Sequence, residues 1–301
     1  MSERLGFVIL HYNALKETID CVSSIQEKID TDNYAVVVVD NCSPNGSGKE
    51  LQKKYESSDR VTVICTDNNL GFAKGNNEGY KYAKDVLKCD FICIMNNDTL
   101  IIQDDFFEVI KKEYDNSRFG LMGPRVILKN DSDNSIYVKF PSKEFLEEEL
   151  KIQKRDLFLM TWHLDHFVTA YKLTRNFINY KIRKKTRISR YRDFFKQEGT
   201  KERHENLILH GCCLIFSPVY MNEYEDAFNP DTFLYREEEI LHLRCKKKNM
   251  GIVYNPNLLI KHLEDVSTDT VVRGNRDKMK FQMRNQIASL KVLLREMESM
   301  N

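Results

Sequence analysis

The chain has 301 residues, 42% of them hydrophobic, enough for a sizeable core in one large domain or two small ones. Lys and Arg number 46 against 45 Asp and Glu, a balance that carries no global signature of nucleic-acid binding. No apolar run reaches the roughly 18 residues of a membrane-spanning helix, and the opening MSERLGFVIL has too short an apolar stretch for a secretory signal. The eight cysteines form no C-x-x-C, and several lie inside apolar runs, so they read as reduced, buried thiols of a cytoplasmic protein rather than zinc ligands or disulfides.

Residues 1–130 alternate between apolar runs and helix-length segments. LGFVILHY (Leu5 to Tyr12), YAVVVVD (Tyr34 to Asp40), VTVIC (Val61 to Cys65) and DFICIM (Asp90 to Met95) are rich in Val and Ile, as strands buried on both faces should be. Ala14 to Lys28, Gly48 to Ser57 and Gly71 to Val86 read as helices, with Ile19, Val22 and Ile25 at helical spacing in the first. This pattern predicts an α/β fold with a mostly parallel sheet flanked by helices. Right-handed crossovers then bring every strand's C-terminal end to one edge, where ligands of open parallel sheets bind. His11, Tyr12 and Asn13 end the first strand, and Asp40, Asn41 and Ser43 the second. Asp67, Asn68 and Asn69 follow the third, and Asn96, Asn97 and Asp98 end the fourth. Any one cluster is explained by a turn or helix cap; four at one edge point to a polar-ligand site.

Two nucleotide motifs are missing. The segment after the first strand, HYNALKE, has no glycine, so no dinucleotide fingerprint is present, and no P-loop occurs anywhere. Gly71, Gly75 and Gly79 in NNLGFAKGNNEGY are four apart, which suits a helix packed closely on another element. Asp98 beside amides is an oxygen-rich cluster suited to Mg²⁺ or Mn²⁺.

In the second half, GCCLIFS (Gly211 to Ser217) reads as a strand, with Pro218 opening a short helix. In FNPDTFLYREEEILHLRCKKKNMG, Ile240, Leu241 and Cys245 have helical spacing and Gly251 is a C-terminal stop. Glu237, Glu238 and Glu239 therefore occupy a first turn, where they complement the helix dipole or supply a general base. IVYNPNLLIKHLEDVST reads as two short strands and a loop.

VVVVDNCSPNGSG, NNLGFAKGNNEGY and IMNNDTLI, in that order, resemble the family 2 glycosyltransferases with the GT-A fold, in particular the rhamnosyltransferase-like bacterial branch that builds surface polysaccharides. The resemblance spans roughly residues 5–128 and 207–290. It implies a divalent cation (Mg²⁺ or Mn²⁺) on Asp98, with Asn96 in place of the family's first carboxylate. His262, followed by Ser267, falls where the family approaches metal or diphosphate. The resemblance places Tyr12, Asn13, Asp40, Asn41, Asn69, Lys74 and Asn97 at the nucleotide, and Arg284 of MRNQIAS, matching an Arg-Asn that opens the family's final helix, at the diphosphate. Aligned on Tyr235 and Arg244, Glu237 takes the position of the family's Glu. Glu238 takes that of its catalytic Asp, so Glu238, or Glu237 beside it, is the expected base. The implied activity is inverting transfer of a sugar from a UDP- or dTDP-sugar to a hydroxyl of a growing, lipid-linked polysaccharide. A silent nucleotide-sugar-binding protein and a sugar nucleotidyltransferase are the alternatives; the second lacks its Gly-rich loop.

Residues 1–130 form the expected nucleotide-sugar half and 207–301 the acceptor-binding and catalytic half of one catalytic domain. Residues 131–206 form an insertion expected to hold two or three helices, with Trp162 as a core or membrane anchor. Within it, residues 172–203 carry 12 basic against 3 acidic side chains, a net +9, interleaved with aromatics. Such a stretch suits a helix on anionic lipid, and hence peripheral attachment to the inner face of the plasma membrane, or else an exposed insertion packed on the body.

Overall fold

Alternation within the first strands decides the layering. In β1 (Leu5–His11) and β2 (Tyr34–Asp40), Leu5, Phe7, Ile9, Val36 and Val38 enter one core while Val8, Val37 and Val39 enter another. A strand that feeds two cores must be apolar on both faces, which is why these runs are continuous. The first core is completed by Cys21, Val22 and Ile25 of α1 (Leu15–Lys28), Leu51 of α2 (Ser47–Tyr55), and Phe106 and Ile110 of α4 (Phe106–Ser117). The second core takes Ala73 and Tyr80 of α3 (Gly71–Lys81), which continues into a π-helical turn over Tyr82–Val86.

The computed structural model describes residues 3–133, 140–162, 201–263 and 275–300. Its nine-stranded sheet runs β3-β2-β1-β4-β8-β6-β9-β5, with β7 pairing β9. β3 (Val61–Cys65), β2, β1 and β4 (Phe91–Asn96) are parallel. Beyond β4 the sheet is mixed. β8 (Cys213–Phe216) is antiparallel to β4 and to β6 (Leu121–Leu128), and β6 is parallel to β9 (Ile252–His262). β5 (Thr99–Ile101) and β7 (His204–Glu205) pair antiparallel with β9. The register aligns His11 with Asp40 and Leu10 with Asn96, so the polar strand ends meet at one edge as the alternation predicts.

The glycine stripe of α3 packs as its spacing predicts. A Cβ on Gly75 would meet Leu10 Cδ1 at 2.6 Å, and one on Gly79 would meet Val39 Cγ2 at 2.9 Å and collide with Val8. Pro218 opens α6 (Pro218–Glu223) behind the Ser217 cap, as expected. A third core joins α5 (Lys143–Thr161), α7 (Glu237–Lys247) and α8 (Asn275–Glu298) through Leu146, Ile240, Leu243, Leu290 and Leu293.

Four local expectations change. IVYNPNLLIKH is one irregular strand rather than two: register to β6 jumps between Pro124 and Arg125, so the chain bulges at residues 256–258 without breaking. α7 ends at Lys247, and Asn249, at φ 53°, takes the left-handed position expected of Gly251. The described part of α8 runs Asn275–Glu298, so Arg284 lies within it and not at its start. Trp162 caps the end of α5 at 65% exposure beside exposed Phe158, so it is no core anchor. All eight cysteines are free, but Cys42 and Cys65 are exposed. Of the insertion, residues 131–133, 140–162 and 201–206 are described, with α5 and β7; the basic stretch through residue 200 and Ser267 lie outside the described residues. Arg203, at the end of that stretch, pairs with Glu113 at 2.9 Å and Glu205 at 2.7 Å. Among the described residues no helix is long and apolar enough to cross a membrane.

Replacing Gly79 by Ala forces a methyl between Val8 and Val39 and should cost about 1–3 kcal/mol, read as a lower urea midpoint at unchanged slope. A midpoint equal to wild type would contradict the close α3–sheet packing.

Candidate functional site

Two adjoining cavities share the loop before α7, and one of them opens at the strand ends. The first, of about 240 Å³, is floored by Tyr12, Asn41, Asn69, Asn96 and Asn97 and walled by Phe72, Phe233, Tyr235 and Phe281, with Lys278 and Gln282 from α8. Of the residues expected at the nucleotide, Tyr12, Asn41, Asn69 and Asn97 line it; Asn13, Asp40 and Lys74 do not. Asn41 wires β2 to α3: its amide donates to Asn69 Oδ1 and Gly71 O, each at 3.1 Å, and accepts from Leu70 N–H at 2.8 Å. Asn97 Nδ2 donates to Thr18 Oγ1 at 3.1 Å, which also contacts His11 Nδ1 at 2.7 Å. Asp40 is buried under the first turn of α2, where it accepts from the Ser43 N–H at 3.2 Å and hydroxyl at 2.5 Å and lies 3.9 Å from His11 Nε2. A Cβ on Gly48 would collide with its carboxylate. Burial depresses the His11 pKa, and Asp40 partly opposes this. Asn13 is held in left-handed backbone, φ 60°, and Lys74 and Arg284 point to solvent.

Asp98 and His262, expected to act together, do meet. Pairing of β5 with β9 sets Thr99 opposite His262, and His262 Nε2 lies 3.2 Å from Asp98 Oδ1. Asp98 Oδ1 and His262 Nδ1 are buried with no hydrogen-bond partner. Sequence reasoning did not single out His210 and Cys212. Donor atoms of His210, Cys212 and His262 lie within 4.8 Å of one another. The Cys212 N–H donates to His210 Nδ1 at 3.1 Å, which leaves the ring proton of neutral His210 on Nε2. Burial, with help from His262, pushes the His210 pKa down to about 4. A buried, open carboxylate oxygen beside imidazole nitrogen is a donor set that fits a divalent cation such as Mn²⁺.

The second cavity, of about 520 Å³, adjoins the first and shares Phe72, Leu234 and Tyr235 with it. Glu237, Glu238 and Glu239 all line it. The chain enters α7 through Tyr235 and Arg236, both left-handed at φ 77° and 69°. Consecutive left-handed residues without glycine store backbone strain, which persists only when the surroundings hold it. Arg236 is held by Glu149 at 2.6 Å and Glu239 at 2.7 Å. Glu238 rests over Gly211, where a Cβ would collide with Oε1. Burial and then Glu239 raise the Glu238 pKa to about 7; burial and then Glu238 raise Glu237 to about 8. As a close pair they titrate together.

A parallel half-sheet carrying a polar cavity beyond its strand ends, joined to a mixed half carrying an acidic one, is the GT-A class of glycosyltransferase fold. The family model described as glycosyl transferase family 2 matches residues 7–183, and the chain belongs to that family. It is 26% identical over 154 residues to glycosyltransferase GlyG of Streptococcus pneumoniae serotype 4, covering 51% of this chain and 49% of that protein. It is also 26% identical over 130 residues to the low-salt glycan biosynthesis hexosyltransferase Agl10 of Haloferax volcanii, covering 42% of this chain and 38% of that protein. The matches thus span about half, or less, of those relatives. The S. aureus TarS structure (residues 1–349) in complex with UDP superposes with a TM-score of 0.53 at 13% identity, covering 96% of this chain and 65% of that one. TarS in complex with UDP-GlcNAc does so with a TM-score of 0.53 at 11% identity, covering 96% and 66%. At such identities the likeness is one of fold.

The raised carboxylates make a signed prediction. A carboxyl whose folded pKa exceeds its ordinary 4.5 contributes stability below that value and loses it as pH rises towards about 8. Glu237→Gln abolishes that titration, so its stability relative to wild type should increase from pH 5 to pH 8 in urea melts. Parallel profiles for the two proteins would show that Glu237 is not buried as described.

Proposed function

We propose that this chain transfers a sugar, with inversion, from a UDP- or dTDP-type donor to a hydroxyl of a growing, lipid-linked surface polysaccharide. The observation that carries this reading is the shared wall of the two cavities. Phe72, Leu234 and Tyr235 separate an amide- and ring-lined donor cavity from a carboxylate-lined acceptor cavity. TarS, which has this fold, binds UDP and UDP-GlcNAc.

In this reading the ring faces of Tyr12 and Phe281 take the base, and the amides of Asn96 and Asn97 face the sugar-diphosphate. Asp98 and His262 would hold a divalent cation, which supplies positive charge against the departing diphosphate. The acceptor hydroxyl oxygen bonds to the anomeric carbon as the bond to the diphosphate oxygen breaks with its electron pair. Attack from the side opposite the leaving group inverts the anomeric centre. The hydroxyl proton passes to Glu238. A pKa near 7 suits that role, since the group is substantially ionised at working pH yet basic enough to take a proton. Gly211 makes room for the carboxylate, and Arg236 fixes the turn that aims it.

UDP- or dTDP-sugars with Mn²⁺ should raise the melting temperature of wild type, and Asp98→Ala should abolish the metal-dependent part of the shift. Glu238→Gln should keep the shift but lose about 10²–10⁴-fold in sugar transfer. Full transfer by Glu238→Gln would remove it as base; binding without any transfer by wild type would favour the silent binding protein.

A further inference from the structure

The acceptor cavity holds more carboxylate than one proton transfer requires. Glu149 of α5 joins Glu237, Glu238 and Glu239 on its wall, facing, among the described residues, one guanidinium, Arg236. That guanidinium already bonds Glu149 Oε1 through Nη2 and Glu239 Oε1 through Nη1. Gln153 Nε2 donates to the same Glu149 oxygen at 2.9 Å, so the carboxylate is clamped through Oε1 alone. Its other oxygen, Oε2, is buried with no hydrogen-bond partner, and so is Glu237 Oε1. These residues are only 4% and 5% exposed. Open carboxylate oxygens that deeply buried are costly until donors reach them.

The charge balance says which donors. Among the described residues, one proton shared by Glu237 and Glu238, together with Arg236, leaves two of the four negative charges uncompensated. An acceptor bearing phosphate or carboxylate would bring a like charge into a poorly solvated wall. A neutral sugar ring instead brings several hydroxyl donors and no charge. We infer that the unit accepting the transfer is a neutral, hydroxyl-rich sugar, and that Glu149 selects it against anionic acceptors. The inference rests on the transferase reading above and adds the acceptor's chemical class to it. It also gives α5 a function, that of carrying a specificity residue to a wall built mostly by α7 and the loop before it, with Phe72 of α3 and Gln286 of α8.

The test uses full-length protein loaded with UDP and Mn²⁺. Methyl glucoside, galactoside and rhamnoside are compared with methyl glucuronide and galactose 6-phosphate as acceptor-site probes, with affinities read by saturation-transfer NMR. Neutral glycosides should bind about tenfold or more tightly than the anionic ones, and Glu149→Gln should shrink that ratio by about tenfold. UDP affinity should change less than that ratio, because Glu149 does not line the donor cavity and reaches it only through Arg236 and Tyr235. The wild-type ratio decides by itself should the variant fold poorly. Anionic probes binding as well as neutral ones, or no neutral glycoside binding at all, would overturn the inference while retained UDP binding left the transferase reading standing. Absence of binding of both UDP and dTDP to wild type would overturn that reading, and this inference with it.

Discussion

The docking of the loop before α7 onto α3 is the contact on which both cavities depend. The Phe72 N–H donates to Phe233 O at 2.7 Å, and the Asn77 amide exchanges two 2.9 Å hydrogen bonds with the Phe228 backbone. Gly71 makes the approach possible: its φ is +78°, and a Cβ there would meet Phe233 O at 2.5 Å. From the other side Ser289 of α8 donates to Leu234 O at 2.7 Å. Each such bond contributes on the order of 1 kcal/mol net, but leaving a buried partner unpaired costs more, about 1–3 kcal/mol. The loop is therefore held by bonds that are expensive to break singly, and it carries Phe233, Leu234 and Tyr235 to the wall between the two cavities.

That rigidity supports the strain and buried charge next to it. Two consecutive left-handed residues, Tyr235 and Arg236, and two carboxyls with raised pKa values stand within four positions of one another. None would persist on a loose loop: the backbone would relax, and water would reach the acids and return them to ordinary carboxylates. Packing of Ile240 and Leu243 against Leu146, Leu290 and Leu293 anchors α7, so its N-terminal acids keep their positions. The desolvation that makes Glu238 a usable base is thus a consequence of core packing within the next one and a half turns of α7.

What was legible in the sequence follows from the range of the interactions. β1 to β4 and α1 to α3 are written in local periodicity, because strands feeding two cores must be continuously apolar and a helix lying close on them needs a glycine stripe. The convergence of polar strand ends followed from handedness alone, and Asp98 and His262, 164 positions apart, were paired through the family resemblance and meet through β5–β9 pairing. β5, of three residues, and β6, interrupted by Pro124, are too short or irregular to show a period. The roof of α2 over Asp40 was not legible, because a strand-end carboxylate carries no local mark of it. Glu149 was hidden in an acidic helix pattern, and nothing local says that one of its glutamates reaches a turn 87 residues away. His210 and Cys212 were overlooked because, without Cys-x-x-Cys spacing, a His two residues before a buried thiol carries no signal.

The most direct measurement is a crystal structure of the protein with a hydrolysis-resistant UDP-sugar and Mn²⁺. The account predicts the base between Tyr12 and Phe281, the diphosphate at Asp98 and His262, and the anomeric carbon turned towards Glu238 across the Phe72–Leu234–Tyr235 wall. A nucleotide bound away from the strand ends, or a sugar whose anomeric carbon faces away from the acidic cavity, would contradict it.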